Sequence, residues 1–357
     1  MTEGQPDVDS VLDHLFGSTP LPFIQAFLRK QKEHSKQIRI GVNRSEVRAN
    51  LRDAILANRI GYGDFRNWLQ TVEGWGKQHL YILSAGRGSL AFSHLLNTSG
   101  LRGFLKRKGL IRDVSSDVEP MSSYILDEVA VDDELARISW RCHSVDWERR
   151  KDLDERRELD DGLYEFRAYR SAPRRDVSRL IIRKTDGIVL CLVDLPVGGD
   201  HDSIKKEMME VGTAVIAPQR LTEIQLSGII SALDQGAVSE RGPRARRQVS
   251  VDVAPTQSRF RTDGALVEFK STSQATGYTD SDAVRQVRKA MQITRFVGEV
   301  GKFRLNFEGS LRRRHEMVVS LSASSNRIYL FSRMSDDEVF ALVDQLLPLA
   351  TPSVGRR

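Results

Sequence analysis

Arg44, Arg48 and Arg52 recur every four residues and Arg59 follows seven further on, so on a helix all four guanidiniums lie along one side. A planar fork of N–H donors that keeps its charge fits phosphate oxygens, and a row at this pitch reads as a phosphate-contacting surface. The same row is an ordinary solvated helix face where acids stand between the arginines to pair with them. Few do, because residues 20–112 carry 17 Lys and Arg against 5 Asp and Glu. That density points to a polyanion, and the expected partner is nucleic acid, foremost double-stranded DNA. Lys36 and Arg39 precede the row, and Lys106, Arg107 and Lys108 close a later helix. They extend the candidate surface, although basic residues in a final helical turn also simply complement the macrodipole.

Catalytic chemistry has one candidate, Glu268-Phe269-Lys270, on a predicted strand after Asp263. Metal-dependent nucleases of the PD-(D/E)xK type set carboxylates around Mg²⁺ while a lysine orients the attacking water. Against this, Asp263 belongs to an Asp-Gly turn that explains it fully, and a strand bearing Glu-x-Lys is also what an outward polar edge looks like. The nuclease is therefore the alternative to a binding protein; a protein–protein adaptor with paired charge blocks is a third. Gly86-Arg87-Gly88-Ser89 lacks the ending of a phosphate-cradling loop, and no Gly-x-Ser-x-Gly elbow occurs. Only Cys142 and Cys191 are present, so neither a disulfide framework nor a cysteine metal site is expected, and no cofactor is. His79 reads as a packed residue rather than a ligand. Tyr62, Trp68, Trp75 and Tyr81 could stack on bases but stand at spacings typical of core.

The elements that must position these residues follow from periodicity and punctuation. Phe23, Ile24, Phe27 and Leu28 mark a helix after Pro22. Asn43 with Glu46 is a capping box, followed by the stripe Val47, Leu51, Ile55; Asp64 caps a further helix with Phe65, Trp68, Leu69 and Val72. Gln78 to Leu83 reads as a strand, and Leu90 to Leu96 and Leu101 to Leu105 as short helices. Strands are expected at Leu135–Cys142, Leu163–Tyr169, Val177–Arg183 and Ile188–Val193, the last two joined at Asp186-Gly187. The charged stretch Asp146 to Asp161 reads as a loop or short helix. Ile204–Met209 and Leu221–Leu233 read as helices flanking a strand Ala214–Ala217. Further on come strands at Val249–Val253, Arg259–Thr262, Leu266–Lys270, Phe303–Phe307, Met317–Leu321 and Arg327–Phe331, with helices at Asp282–Ile293 and Asp336–Leu347.

Charge divides the 357 residues into blocks: four acids and no base in 1–19, the basic 20–112, 27 acids against 17 bases in 113–240, and 20 bases against 12 acids in 241–357. The fold class expected is α+β, a helical N-terminal domain followed by antiparallel-sheet domains. The predicted divisions are an acidic tail (1–19), a basic helical nucleic-acid-binding domain (20–112), an α+β middle domain (113–240) and an α+β C-terminal domain (241–357) that contacts a partner or self-associates. Arg241-Gly-Pro-Arg-Ala-Arg-Arg247 has the composition of a linker. No apolar run approaches the ~20 residues of a membrane span and the N-terminus lacks the features of a signal peptide, so no membrane partner is expected. The compartment expected is intracellular: the cytoplasm or nucleoid of a bacterium, or the nucleus of a eukaryote.

The order of parts resembles the centromere protein N family. The resemblance is carried by Arg44-Ser-Glu-Val-Arg-Ala-Asn-Leu51 opening a helix, a second helix ending near Val72, the strand Leu135-Ala-Arg-Ile-Ser-Trp140, and a long loop before a hairpin at Leu180 to Val193. It is one of layout over most of the chain, without a diagnostic motif. It implies a basic surface, including Arg44, Arg48 and Arg52, that grips nucleosomal DNA, and a C-terminal domain that mediates assembly.

Overall fold

The structure, a computed structural model, describes residues 8–86, 92–111, 124–195, 201–216, 221–234, 250–261, 266–271, 278, 281–291, 297–308 and 316–350. It is α+β, with a helical N-terminal part and a large antiparallel sheet. The helical part comprises α1 (Val8–Ser18), α2 (Leu21–His34), α3 (Arg44–Leu56) and α4 (Tyr62–Glu73). Asn43 caps α3 as its sequence requires: the side-chain oxygen accepts from Glu46 N at 2.9 Å, while Glu46 accepts from Val42 N at 3.0 Å. For α4 the cap is Gly61, and Asp64 falls inside the first turn instead. Val47, Leu51 and Ile55 meet Ile24, Leu28, Phe65 and Leu69 in one core. Leu12, Leu15 and Phe16 of α1 are buried in that same core. Residues 8–18 of the expected acidic tail are thus a structural helix; residues 1–7 lie outside the described ones.

The remaining elements are β1 (Gln78–Ser84), α5 (Thr98–Arg107), β2 (Ile125–Val131), β3 (Leu135–Arg149), β4 (Glu155–Leu159), β5 (Gly162–Phe166), β6 (Tyr169–Arg183), β7 (Ile188–Asp194), α6 (His201–Ile216), β8 (Thr222–Glu223), α7 (Leu226–Asp234), β9 (Ser250–Arg261), β10 (Leu266–Lys270), α8 (Asp282–Ala290), β11 (Val297–Glu308), β12 (Glu316–Ser322), β13 (Arg327–Leu330) and α9 (Asp336–Leu346). Among the described residues eleven strands form one sheet, in the order β10-β9-β11-β12-β13-β1-β7-β6-β3-β2, with β8 against the end of β1. β1 pairs with β7 on one side and β13 on the other. The sheet therefore runs across the expected boundaries at 112 and 240, and segments 113–240 and 241–357 are two ends of one sheet. β1 is covered on both faces, which is why it reads as a nearly continuous apolar run. Leu80 and Ile82 face the core made with α7 and α9; Tyr81 and Leu83 face the one made with α5 and α6.

Several local expectations change. Leu90–Leu96 contains only a 3-10 turn at Ser93–Leu95 within its described part. Ala214 to Ile216 are the end of α6, whose Val215 and Ile216 are β-branched because they pack on the sheet; Ala217 lies outside the described residues. The expected helix from Leu221 begins only at Leu226. The described parts of the two strands expected at Val249–Val253 and Arg259–Thr262, residues 250–253 and 259–261, belong to the single strand β9; Val249 and Thr262 lie outside the described residues. Of the loop or short helix expected at Asp146–Asp161 only a 3-10 turn at Lys151–Leu153 is present; around it β3 and β6 continue as a two-stranded ribbon beyond the reach of β2 and β7, followed by the β4–β5 hairpin. The sequence of that ribbon, His143-Ser-Val-Asp-Trp-Glu-Arg149 and Tyr169-Arg-Ser-Ala-Pro-Arg-Arg175, mixes charged with apolar residues and carries no clean period of two. Its described exposed apolar residues include Trp147, Leu163, Phe166 and Tyr169.

Candidate nucleic-acid interface

Arg44, Arg48 and Arg52 stand on α3 at the expected pitch, whereas Arg59 lies beyond the end of that helix at Leu56 and after the left-handed Asn58, so the row has three members and not four; nor is it bare. Arg52 Nε and Nη2 donate to the two Asp9 carboxylate oxygens at 2.8 and 3.0 Å. Arg48 pairs with Asp13, and its other nitrogen lies 3.9 Å from Asp9. The hydrogen bond from Arg52 holds the Asp9 carboxyl below its ordinary range. Arg44 lies over the Phe16 ring at 5.6 Å, and Arg59 Nη2 donates to the Asp53 carbonyl at 3.2 Å. The acids missing between the arginines in sequence are supplied by α1, whose apolar face holds it against α3.

The cations without such partners lie one element earlier. Arg29, Lys30 and Lys32 occupy the second half of α2, and Lys36 and Arg39 the connection to α3; all five are exposed. None of the five has an ion-pair partner among the described residues. Glu46, the acid nearest in sequence to Arg44, spends both carboxylate oxygens on the α3 cap. Lys106, Arg107 and Lys108 are also exposed, at the end of α5, with the Lys108 ammonium 5.9 Å from the centre of the Phe104 ring. α5 packs against β2, where Thr98 Oγ1 accepts from Val131 N at 3.0 Å, so this triplet belongs to the sheet rather than to the bundle.

The aromatic residues near the row are packing groups. Trp68 stacks on Phe27 at 4.2 Å between ring centres, and buried Trp75 lies against Phe23 at 5.3 Å. Tyr81 is buried with the Lys205 ammonium over its ring at 4.2 Å. His79 is buried between His201 and Tyr329, each 4.6 Å away by ring centres. Burial, then the nearby His201 and Arg327, lowers its pKa to about 4, so it is neutral at neutral pH.

Glu268 and Lys270 stand exposed on β10, the edge of the sheet, and Gln257 Nε2 donates to Glu268 Oε1 at 2.9 Å. Asp263 lies outside the described residues. Among the described residues no group of three or more His, Cys, Asp or Glu side chains is placed to hold a metal ion. Strand register places Glu268 and Lys270 in two rows that sequence reasoning did not anticipate. Directly opposed residues in an antiparallel pair share a face. One row crosses the sheet through His79, Tyr329, Ser320, Lys302, Gln257 and Lys270. Beside it Arg327, Ser322, Val300, Arg259 and Glu268 form a second. No local signal could reveal this face, because each member comes from a different strand.

No protein-family model matches the chain, and no curated protein matches it. Among the described residues no helix is long and apolar enough to cross a membrane.

Proposed function

We propose that this chain binds nucleic acid, double-stranded DNA in the first instance, through the basic margin of its helical bundle. The observation that carries the proposal is the run of exposed cations Arg29, Lys30, Lys32, Lys36 and Arg39, unpaired among the described residues. Phosphates would give these side chains the counter-charge that α1 already gives Arg48 and Arg52. Lys30→Glu, Lys36→Glu and Arg39→Glu together should weaken duplex binding for every sequence tested. The slope of log K against log salt should fall by about 0.9 for each phosphate the variant no longer neutralises. Unchanged affinity and slope in the folded variant would overturn the proposal.

Trp147, Leu163, Phe166 and Tyr169 on the β3–β6 ribbon favour a second role, contact with a protein partner, since a two-stranded ribbon has no core of its own to cover them. Replacing residues 155–166 by a two-residue Asn-Gly turn should abolish such contact, read as disappearance of a larger species in sedimentation. A partner-bound species that persists unchanged would end this reading.

A further inference from the structure

The face of the sheet opposite α7 and α9 has a composition unlike that of a core. Across β13, β12, β11, β9 and β10 it presents Tyr329 and Arg327, then Ser320 and Ser322, then Lys302 and Val300, then Gln257 and Arg259, then Lys270 and Glu268. Arg304 and Val318 continue it as opposed partners. Phe331, just past β13, stacks with Tyr329 at 6.1 Å with the rings within 10° of parallel. Phe331 and Val318 are 46% and 42% exposed, so this face is open to solvent there. The opposite face carries Leu305, Val319, Leu321, Ile328 and Leu330, all buried under the apolar sides of α7 and α9.

Three features of the open face point to one ligand chemistry. Lys270, Lys302 and Arg327 have no ion-pair partner among the described residues, Arg327 being held by the Tyr329 ring at 4.7 Å and by a hydrogen bond to Tyr81, whereas Arg259 is paired with Glu299 at 3.5 Å. The buried serines of β12 form a low floor between the Tyr329–Arg327 side and the Lys302–Val300 side. Two aromatic rings rise along one flank of that floor, one of them well exposed. Cations without an ion-pair partner beside an exposed aromatic ring on an open sheet suit a strand whose bases are splayed, because a duplex hides the faces of its bases.

We propose that this face is a second nucleic-acid site, specific for single strands, in which bases stack on Phe331 and Tyr329 while phosphates follow Arg327, Lys302 and Lys270. From β13 to β10 the open row spans four inter-strand steps of about 4.8 Å, ~19 Å in all, comparable with the ~4 nucleotides of the smallest single-strand sites. The site is independent of the bundle surface and stands or falls separately from it.

The test uses the full chain, a fluorescein-labelled oligo-dT of about 15 nucleotides and a duplex of the same length, read by anisotropy at several salt concentrations. The variant Lys270→Glu, Lys302→Glu, Phe331→Ala should lose about 5- to 100-fold in oligo-dT affinity and keep its duplex affinity. The bundle variant Lys30→Glu, Lys36→Glu, Arg39→Glu should keep its oligo-dT affinity. Photo-crosslinking of wild-type protein to an iodo-deoxyuridine oligonucleotide provides a measurement that needs no variant, and the labelled peptide should contain Tyr329 or Phe331. Wild-type oligo-dT affinity in the folded sheet variant, weakening confined to the bundle variant, no binding of oligo-dT by the native chain, or crosslinks only outside residues 257–331 would each overturn the proposal.

Discussion

Arg179 Nη1 on β6 donates to Asp336 Oδ1 at the first turn of α9 across 2.6 Å, and Arg183, four residues along the same strand, reaches Asp344, eight residues along the same helix. Four strand residues rise about 13 Å and eight helical residues about 12 Å, so the two pairs run in step. Both arginines are almost fully buried, and Arg137 from β3 adds a third contact at 3.4 Å to Asp336. Burial opposes ionisation of Asp336, but the guanidiniums of Arg179 and Arg137 more than offset it and hold the carboxyl below its ordinary range. The pairs fix where α9 lies along the sheet.

Removing one member of this arrangement should therefore cost more than removing both. Arg179→Ala leaves Asp336 charged at the start of α9 with only Arg137 to compensate it and should destabilise the fold by about 3 kcal/mol. Arg179→Met with Asp336→Leu should recover most of that stability. Urea denaturation of the three proteins checks the order, which must be wild type and double variant above the single.

Gly74 makes room for Arg179: a Cβ there would lie 2.7 Å from Arg179 Nε and 2.8 Å from its Cδ. Gly74→Ala should cost about 1–3 kcal/mol through overpacking. Because the clash is with that one side chain, the cost should largely disappear when Arg179 is already alanine, a coupling that a double-mutant cycle measures.

Asp9→Asn with Asp13→Asn removes the charges that α1 places on Arg48 and Arg52 while Leu12, Leu15 and Phe16 still anchor the helix. Affinity for duplex DNA should rise and its salt dependence steepen as two more guanidiniums reach phosphates. If neither changes, the α3 row does not touch the polymer.

His79 should steepen the acid limb of stability. Its pKa is about 4 in the folded protein against an ordinary 6.5, so between these values the unfolded chain binds more protons and stability rises with pH. The full effect is at most ~3 kcal/mol, present above pH ~6.5 and lost as pH falls toward 4. Thermal melting from pH 4 to 7 should show a shallower dependence in His79→Gln than in the parent.

What the sequence revealed was local. The α3 cap and stripe, the hairpin at Asp186-Gly187 and the β10 edge all depend on residues within a few positions of each other, and they form as expected, except that the hairpin has a four-residue connection, 184–187, in place of a two-residue turn. The pairing of Arg52 with Asp9 spans 43 positions, so the row looked unpaired when it was not. Ala-Val-Ile at the end of α6 reads as a strand because burial against the sheet selects the same β-branched residues that strands prefer. The open face bearing Lys302 and Tyr329 escapes any reading of a single strand, since its composition exists only after five strands are aligned.

β1 also sets a timetable for synthesis. It leaves the ribosome early, yet its neighbours begin at Ile188 and Arg327. At ~5–20 residues per second, the second neighbour follows on the order of 10 to 50 s later. Throughout that delay Leu80, Ile82 and Leu83 have no strand on at least one edge, so the nascent chain offers a sticky edge that chaperones would have to shield. Any premature stop before Arg327 would make that transient state permanent. Fragments such as 20–112 or 1–240 should accordingly be recovered as aggregates, whereas α1 to α4 have a core of their own that is complete early in synthesis.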